Sequence, residues 1–462
     1  MLASSRRAFA ALAAALPLLT QCAPEPPGEA VIVVLLDTFR RDALGCYGGP
    51  EGATPHLDAL ARECVTFRDA VSPSGWTLPS TASLLTGAWP TVHGGMGKDV
   101  ELTPVRADVP LAAELFQRAG FRTSGIANAA FVSPLLGFDR GFDSYDHRHA
   151  YNSKVRRAAE NVDLAIAALE EARTARHFVF LHLFDAHLDY DPLPGWGNAF
   201  RPVGSPPAQR LTASTCEELG EHGGYRPGSP EAARVRGAYL GEVAAVDREV
   251  GRLIAAVRRA GLWERCTFVV VADHGEEMWE HGGFEHGHTL YEELVRIPLL
   301  IRLPETTRLP QTAAGRLVNG RVRIVDVLPT LCEAAGIPAP ATASGESLFP
   351  RIRGDVGGDL PAFFESTLYG NNRLAWTQDG WKLVWDLDGD PAAALEVYDL
   401  RNDPGELRNL AAERPDRTEE LGAALRDQVR TVTGRAGTLS PTQPVSLHPR
   451  DIEALRSLGY VR

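Results

Sequence analysis

Thr77 lies in Ser74-Gly75-Trp76-Thr77-Leu78-Pro79-Ser80, one place before Leu-Pro-Ser, where a helix is expected to begin. Pro79 suits a first turn, and the unpaired N–H groups of that turn would face the Thr77 hydroxyl and any anion beside it. Thr77 is therefore a candidate nucleophile, although the same pattern alone describes many helix caps. A threonine hydroxyl is unreactive at neutral pH without a base or a metal ion to activate it. Asp37 ends the apolar run 31–36, and Asp273 with His274 ends the run 267–272. Two carboxylates and an imidazole form a donor set for a divalent cation, which would activate Thr77 and polarise an oxygen of a tetrahedral substrate. A third apolar run, 178–184, ends in Asp185.

These acids need elements that deliver them to one place. The three runs are continuous and rich in β-branched or aromatic residues, the pattern of strands buried on both faces. Segments of helical periodicity, such as 57–63 and 243–259, lie between them. The alternation predicts an α/β fold, a large mostly parallel sheet sandwiched by helices. Ligands bind beyond the carboxyl ends of strands in such sheets, where all three acids would sit. From about residue 361 the texture changes to short strand-like runs at 374–377, 381–385 and 397–400, then a helix near 418–432. The expected division is a catalytic domain over 29–355 and a small α+β subdomain with an antiparallel sheet over 361–462.

The 462 residues carry a formal charge of -12, with 44% hydrophobic and 23% charged residues. That balance is ordinary for a globular protein and argues against a nucleic-acid partner, which calls for clustered Lys and Arg. Residues 1–22 read as an export signal: Arg6 and Arg7 precede the uncharged run 8–19, too short for a bilayer of about 30 Å. Ser5-Arg6-Arg7-Ala8-Phe9 resembles a twin-arginine signal, and Leu19-Thr20-Gln21-Cys22 resembles a lipoprotein box with Gln in a poor position. The expected location is the periplasm, with or without a lipid anchor on Cys22, or else the medium. Any membrane contact runs through that anchor. Six scattered cysteines with no C-x-x-C pair suggest small core residues rather than a zinc site.

Read in order, the motifs resemble the sulfatase family within the alkaline phosphatase superfamily, over nearly the whole mature length. They begin with Val33-Val34-Leu35-Leu36-Asp37-Thr38-Phe39-Arg40-Arg41-Asp42 and Gly45-Cys46-Tyr47-Gly48, followed by Thr54-Pro55-His56-Leu57-Asp58. The Thr77 segment closes on Leu84-Leu85-Thr86-Gly87 and His93-Gly94. Val271-Ala272-Asp273-His274-Gly275-Glu276 follows, then Val325-Asp326-Val327-Leu328-Pro329-Thr330-Leu331, and finally Trp381-Lys382-Leu383 and Val397-Tyr398-Asp399-Leu400.

The resemblance implies an alkaline phosphatase-like fold and a metal site of Asp37, Thr77, Asp273 and His274. Sulfatases place Cys or Ser at the Thr77 position, convert it to formylglycine, and carry an Arg four residues later. Here Thr77 cannot be so converted, the later position is Thr81, and Thr38 replaces the second Asp of the first metal strand. The match is instead to superfamily members that use Thr directly on phosphate esters.

By the same resemblance His187 and His288 are expected to bind substrate or serve as acid and base; Asn128, at the end of another expected strand, would face the site and bind substrate or serve as a turn amide. Asp185, His187 and His288 would hold a second ion if one binds, with one ion favoured over two. His274 tilts the metal toward zinc or manganese, whereas calcium suits an all-oxygen shell. Lys382 and Arg323 read as surface charge.

The expected reaction is hydrolysis of a sulfate, phosphate or phosphonate ester through a covalent Thr77 intermediate, on a small-molecule, glycan or lipid-headgroup substrate. Two alternatives are an envelope phosphoryl-headgroup transferase and a degenerate, non-catalytic glycan-binding member.

Overall fold

The computed structural model describes residues 28–99, 101–147, 156–171, 175–200, 210–212, 226–304, 314–391 and 393–447, with positions 204, 215, 307, 449 and 452. The expected export signal with Cys22, the tail beyond residue 452, and about half of the 191–229 loop region lie outside the described residues.

Thirteen strands precede the C-terminal region among the described residues. They are β1 (Ala30–Leu36), β2 (Val65–Val71), β3 (Met96–Lys98), β4 (Glu101–Thr103), β5 (Arg122–Ala127), β6 (Ser144–His147) and β7 (His177–Leu183). Then come β8 (Cys266–Ala272), β9 (Glu277–Met278), β10 (Phe284–Glu285), β11 (Arg296–Arg302), β12 (Leu317–Val318) and β13 (Val322–Arg323). Nine of these form one sheet in the order β12-β2-β11-β8-β1-β7-β5-β6, with β13 also beside β2. The three expected strands are its centre: β1 is hydrogen-bonded to β7 on one side and β8 on the other, both parallel. All seven residues of each of these three strands are buried. Each buried Val, Leu, Ile or Phe contributes about 1.5–3 kcal/mol relative to exposure, so helices must cover this part of the sheet.

One strand departs from the parallel pattern. β11 runs antiparallel to both β8 and β2. The chain between β8 and β11 holds only the β9–β10 hairpin and the one-turn helix Glu292–Val295, so no long crossover helix reverses its direction.

The periodicity at 243–259 belongs to a longer helix, Pro230–Arg259. Ser229 Oγ accepts from Ala232 N at 3.1 Å and Pro230 occupies the first turn, so the helix starts well before its apolar stripe becomes regular.

The C-terminal region forms a four-stranded antiparallel sheet of β14 (Ala362–Phe364), β15 (Arg373–Gln378), β16 (Trp381–Asp386) and β17 (Leu395–Asp399), then the helix Pro415–Ala436. β14 is too short for its alternation to show in the sequence. Lys382 and Arg323 are not surface charges: Lys382 is fully buried, and Arg323 forms a 2.7 Å ion pair with Asp326. Cys46, Cys64, Cys266 and Cys332 are free thiols, and Cys216 lies outside the described residues. No described helix is long and apolar enough to cross a membrane.

Candidate active site

The strand register explains why two distant aspartates become neighbours. Leu35 on β1 is paired with Val271 on β8, so their side chains share a face of the sheet. Two residues further along each strand come Asp37 and Asp273, on that same face at the carboxyl ends. The backbone then turns sharply. Thr38 adopts φ 53°, in the left-handed region, and its N–H donates to Asp273 Oδ1 at 3.2 Å. Tyr239, on the long helix, donates its hydroxyl to Thr38 O at 2.9 Å and accepts from Arg40 N at 2.7 Å, which clamps the turn.

Thr77 is the first residue of the helix Thr77–Thr86, with Trp76 as its cap residue. The approach to the helix is pinned from the C-terminal region: Ser74 Oγ and Trp76 Nε1 both donate to Ser366 O, at 2.6 and 2.7 Å. The result places Thr77 Oγ1 3.5 Å from Asp37 Oδ2 and 3.3 Å from His274 Nε2. The positive end of the helix dipole lies at the same point, a favourable place for an anion.

Asp37, Asp273 and His274 each offer a ligand atom within 4.8 Å of the others, and all three are buried. Asp37 Oδ1 and Asp273 Oδ2 are buried oxygens with no hydrogen-bond partner. His274 donates Nδ1 to Gly275 O at 2.8 Å, which leaves the Nε2 lone pair facing the carboxylates. Burial, then the charge of Asp273, pushes the Asp37 carboxyl well above the usual carboxylate range. Two buried carboxylates with an unused oxygen each and a lone pair beside them fit a divalent cation, which would remove that penalty.

A second group, Glu277, His281 and Glu293, also converges, but its donors are already engaged. His281 Nδ1 is 2.6 Å from Glu293 Oε1, and Glu277 is met by Gly283 N at 2.9 Å, His288 Nε2 at 3.0 Å and Thr289 Oγ1 at 3.2 Å. This is an ion-pair cluster rather than a vacant donor set.

The residues expected for a second ion do not come together. Both oxygens of Asp185 accept from Ala158 N, at 3.0 and 2.9 Å, so this carboxylate caps the helix Ala158–Glu171. His288 is turned toward Glu277. His187 is buried, stacks on Phe184 with ring centroids 4.3 Å apart, and meets His286 edge-on at 5.0 Å. Asn128, buried just past β5, donates Nδ2 to Arg156 O at 2.6 Å.

Three further groups surround the site: His182, Glu276 and His286. His182 Nε2 lies 2.8 Å from Asp37 Oδ2. Glu276 is fully buried, accepts from Tyr190 OH at 2.9 Å, and holds His286 Nδ1 at 2.7 Å, while the His286 ring lies 4.5 Å from that of His274. The available signals were a single His within the apolar stretch 178–183, and an acid two places after His274. His182 lies outside the motif residues, Glu276 closes the Asp273-His274-Gly275-Glu276 motif with no role assigned there, and His286 is a candidate from its place beside His288.

A family profile described as Sulfatase matches residues 29–337. The chain belongs to the sulfatase family. A second profile, described as N-sulphoglucosamine sulphohydrolase, C-terminal, matches residues 279–434. Among curated relatives, arylsulfatase K of Xenopus laevis is 32% identical over 210 residues, 43% of this chain and 38% of that protein. An ulvan-active sulfatase of Formosa agariphila is 28% identical over 353 residues, 71% of this chain and 66% of the relative. The match thus spans less than two thirds of each of these two relatives. In fold, the phosphonate monoester hydrolase of Silicibacter pomeroyi superposes with a TM-score of 0.69 at 21% identity, covering 88% of this chain and 96% of that one. Within this sulfatase-family chain, Thr77 heads the site helix and Thr38 follows Asp37.

Proposed function

We propose that this sulfatase-family chain is a metal-dependent hydrolase of sulfate or phosphate/phosphonate esters that uses Thr77 as its nucleophile. The observation that carries the reading is the position of Thr77 Oγ1 beside Asp37 Oδ2 and His274 Nε2, at 3.5 and 3.3 Å, on a helix N-terminus. Asp37, Asp273 and His274 would hold one divalent ion: zinc, manganese or calcium. When bound, such an ion supplies positive charge that acidifies a neighbouring hydroxyl and polarises an ester oxygen.

The chain's own groups do the rest. Thr77 Oγ1 attacks sulfur or phosphorus, and the ester alcohol departs with the proton that Thr77 gives up. The helix N-terminus faces the oxygens on which charge accumulates. Burial holds His187 down at about 3 and His286 well below its ordinary value, so both are neutral imidazoles in the resting site. One of these neutral imidazoles takes a proton from water as the water oxygen cleaves the threonyl ester, then returns that proton to Thr77 Oγ1, releasing sulfate, phosphate or the phosphonate and restoring the Thr77 hydroxyl.

The names of the curated relatives favour sulfate esters of glycans or aryl alcohols, and the phosphonate hydrolase of like fold keeps phosphorus substrates in view. The export segment supports a site of action outside the cytoplasm. The test is a panel of aryl sulfate, phosphate monoester, phosphate diester and phosphonate ester, run with each of the three metals. Turnover of at least one class, lost on the order of 10³-fold or more in Thr77→Ala, is expected. A fully active Thr77→Ala protein would remove this nucleophile.

A further inference from the structure

Within residues 178–183 of β7, His182 is the one polar side chain, and it is fully buried. Its partner in the parallel register is Leu35 of β1, so its ring shares a face with Leu35 and with Asp37 just beyond. Its Nε2 is 2.8 Å from Asp37 Oδ2. Since a carboxylate accepts, Nε2 carries the hydrogen. Nδ1 is then a buried acceptor, and it has no hydrogen-bond partner. A group left in that state costs about 1–3 kcal/mol. A strand interior that had only to fill volume would be served by Phe, Leu or Met without that cost.

The contact also divides the labour of the Asp37 carboxylate. Oδ2 is the oxygen met by both His182 and the Thr77 hydroxyl, whereas Oδ1 is the one without a partner. We infer that His182 is a positioning residue for the cation site: its Nε2–H engages Asp37 Oδ2, fixes the carboxylate plane, and leaves Oδ1 presented to the ion. This rests on the reading of Asp37 as a metal ligand.

The experiment is a calorimetric titration of chelator-stripped protein with Mn²⁺, Zn²⁺ and Ca²⁺ in turn. It compares the wild type with His182→Met, His182→Phe, His182→Gln and Asp37→Asn. Loss of a hydrogen bond behind a ligand typically lowers metal affinity about 10–100-fold, and that loss is expected for Met and Phe. Gln keeps an N–H donor and should recover most of it. The metal-free Met and Phe proteins should melt no lower than the metal-free wild type, because they no longer bury an unpaired acceptor. Wild-type affinity in either apolar variant, alongside weakened binding in Asp37→Asn, would overturn the positioning role alone. Wild-type affinity in Asp37→Asn would overturn the metal-site reading beneath it.

Discussion

Lys382 Nζ lies 2.8 Å from Glu406 Oε1 and 3.2 Å from Glu292 Oε1, and all three side chains are buried. Arg321 completes the group, with Nη2 2.8 Å from Glu292 Oε2. Lys382 belongs to the C-terminal sheet, and Glu292 begins the segment that leads from the site histidines into β11. The alternating charges therefore fasten the C-terminal sheet to the chain that carries His286. Removing one partner of a buried ion pair leaves an uncompensated charge, at a cost of about 3–5 kcal/mol. Lys382→Met should lower the unfolding free energy by that amount in urea titration. An unchanged midpoint would mean that the pair is dispensable to the fold.

Removal of the cation should destabilise as well as inactivate. Without it, Asp37 and Asp273 are neighbouring buried carboxylates, each with an oxygen that has no hydrogen-bond partner. Chelator treatment should lower the melting temperature and abolish turnover, with both restored by added metal. Asp273→Asn should lose bound metal in elemental analysis and lose activity in parallel. A variant that keeps a full equivalent of metal would contradict the ligand set.

Thr77 can be varied without disturbing its surroundings, because its hydroxyl makes only long contacts, of 3.3 and 3.5 Å. Thr77→Val keeps the shape and should lose activity on the order of 10³-fold or more, with little change in melting temperature. Thr77→Ser keeps the hydroxyl and should stay well above Val in kcat/KM. Equal rates for Ser and Val would show that the hydroxyl takes no part.

His281 supplies a pH signature separate from catalysis. Burial lowers its pKa, but the hydrogen bond and charge of Glu293 outweigh burial and raise it from 6.5 to about 9. A raised folded-state value means that the protonated ring stabilises the fold. That contribution is fully present below pH 6.5 and disappears as pH rises through about 9. Its size is on the order of 2–3 kcal/mol. Unfolding midpoints measured from pH 6 to 10 should fall across this window in the wild type and change less in His281→Gln. Parallel curves would place the charge elsewhere.

The centre of the fold was legible because burial on both faces of β1, β7 and β8 forces long unbroken apolar runs, which few other structures require. Their terminal acids stood out for the same reason. The antiparallel direction of β11 and the short strand β14 were not legible: one depends on what the chain between two strands does, and the other is shorter than any periodicity. Asp37, Asp273, His274 and Thr77 could be singled out from motif and spacing. Asp185, which ends its strand in the same way, proved to cap a helix, because a carboxylate at a strand end is drawn to whichever donor the neighbouring element presents.

The sequence by itself determined that buried strands would deliver carboxylates to one edge of a sheet, and that a helix would begin at a hydroxyl. Unbroken apolar runs and helix starts are local properties, written in neighbouring residues. Only the tertiary structure decided which of those groups share a site, because that follows from register. Leu35 opposite Val271 brings Asp37 beside Asp273, and Leu35 opposite His182 sets an imidazole behind it. A shift of one residue in either pairing would turn the same side chains to the other face.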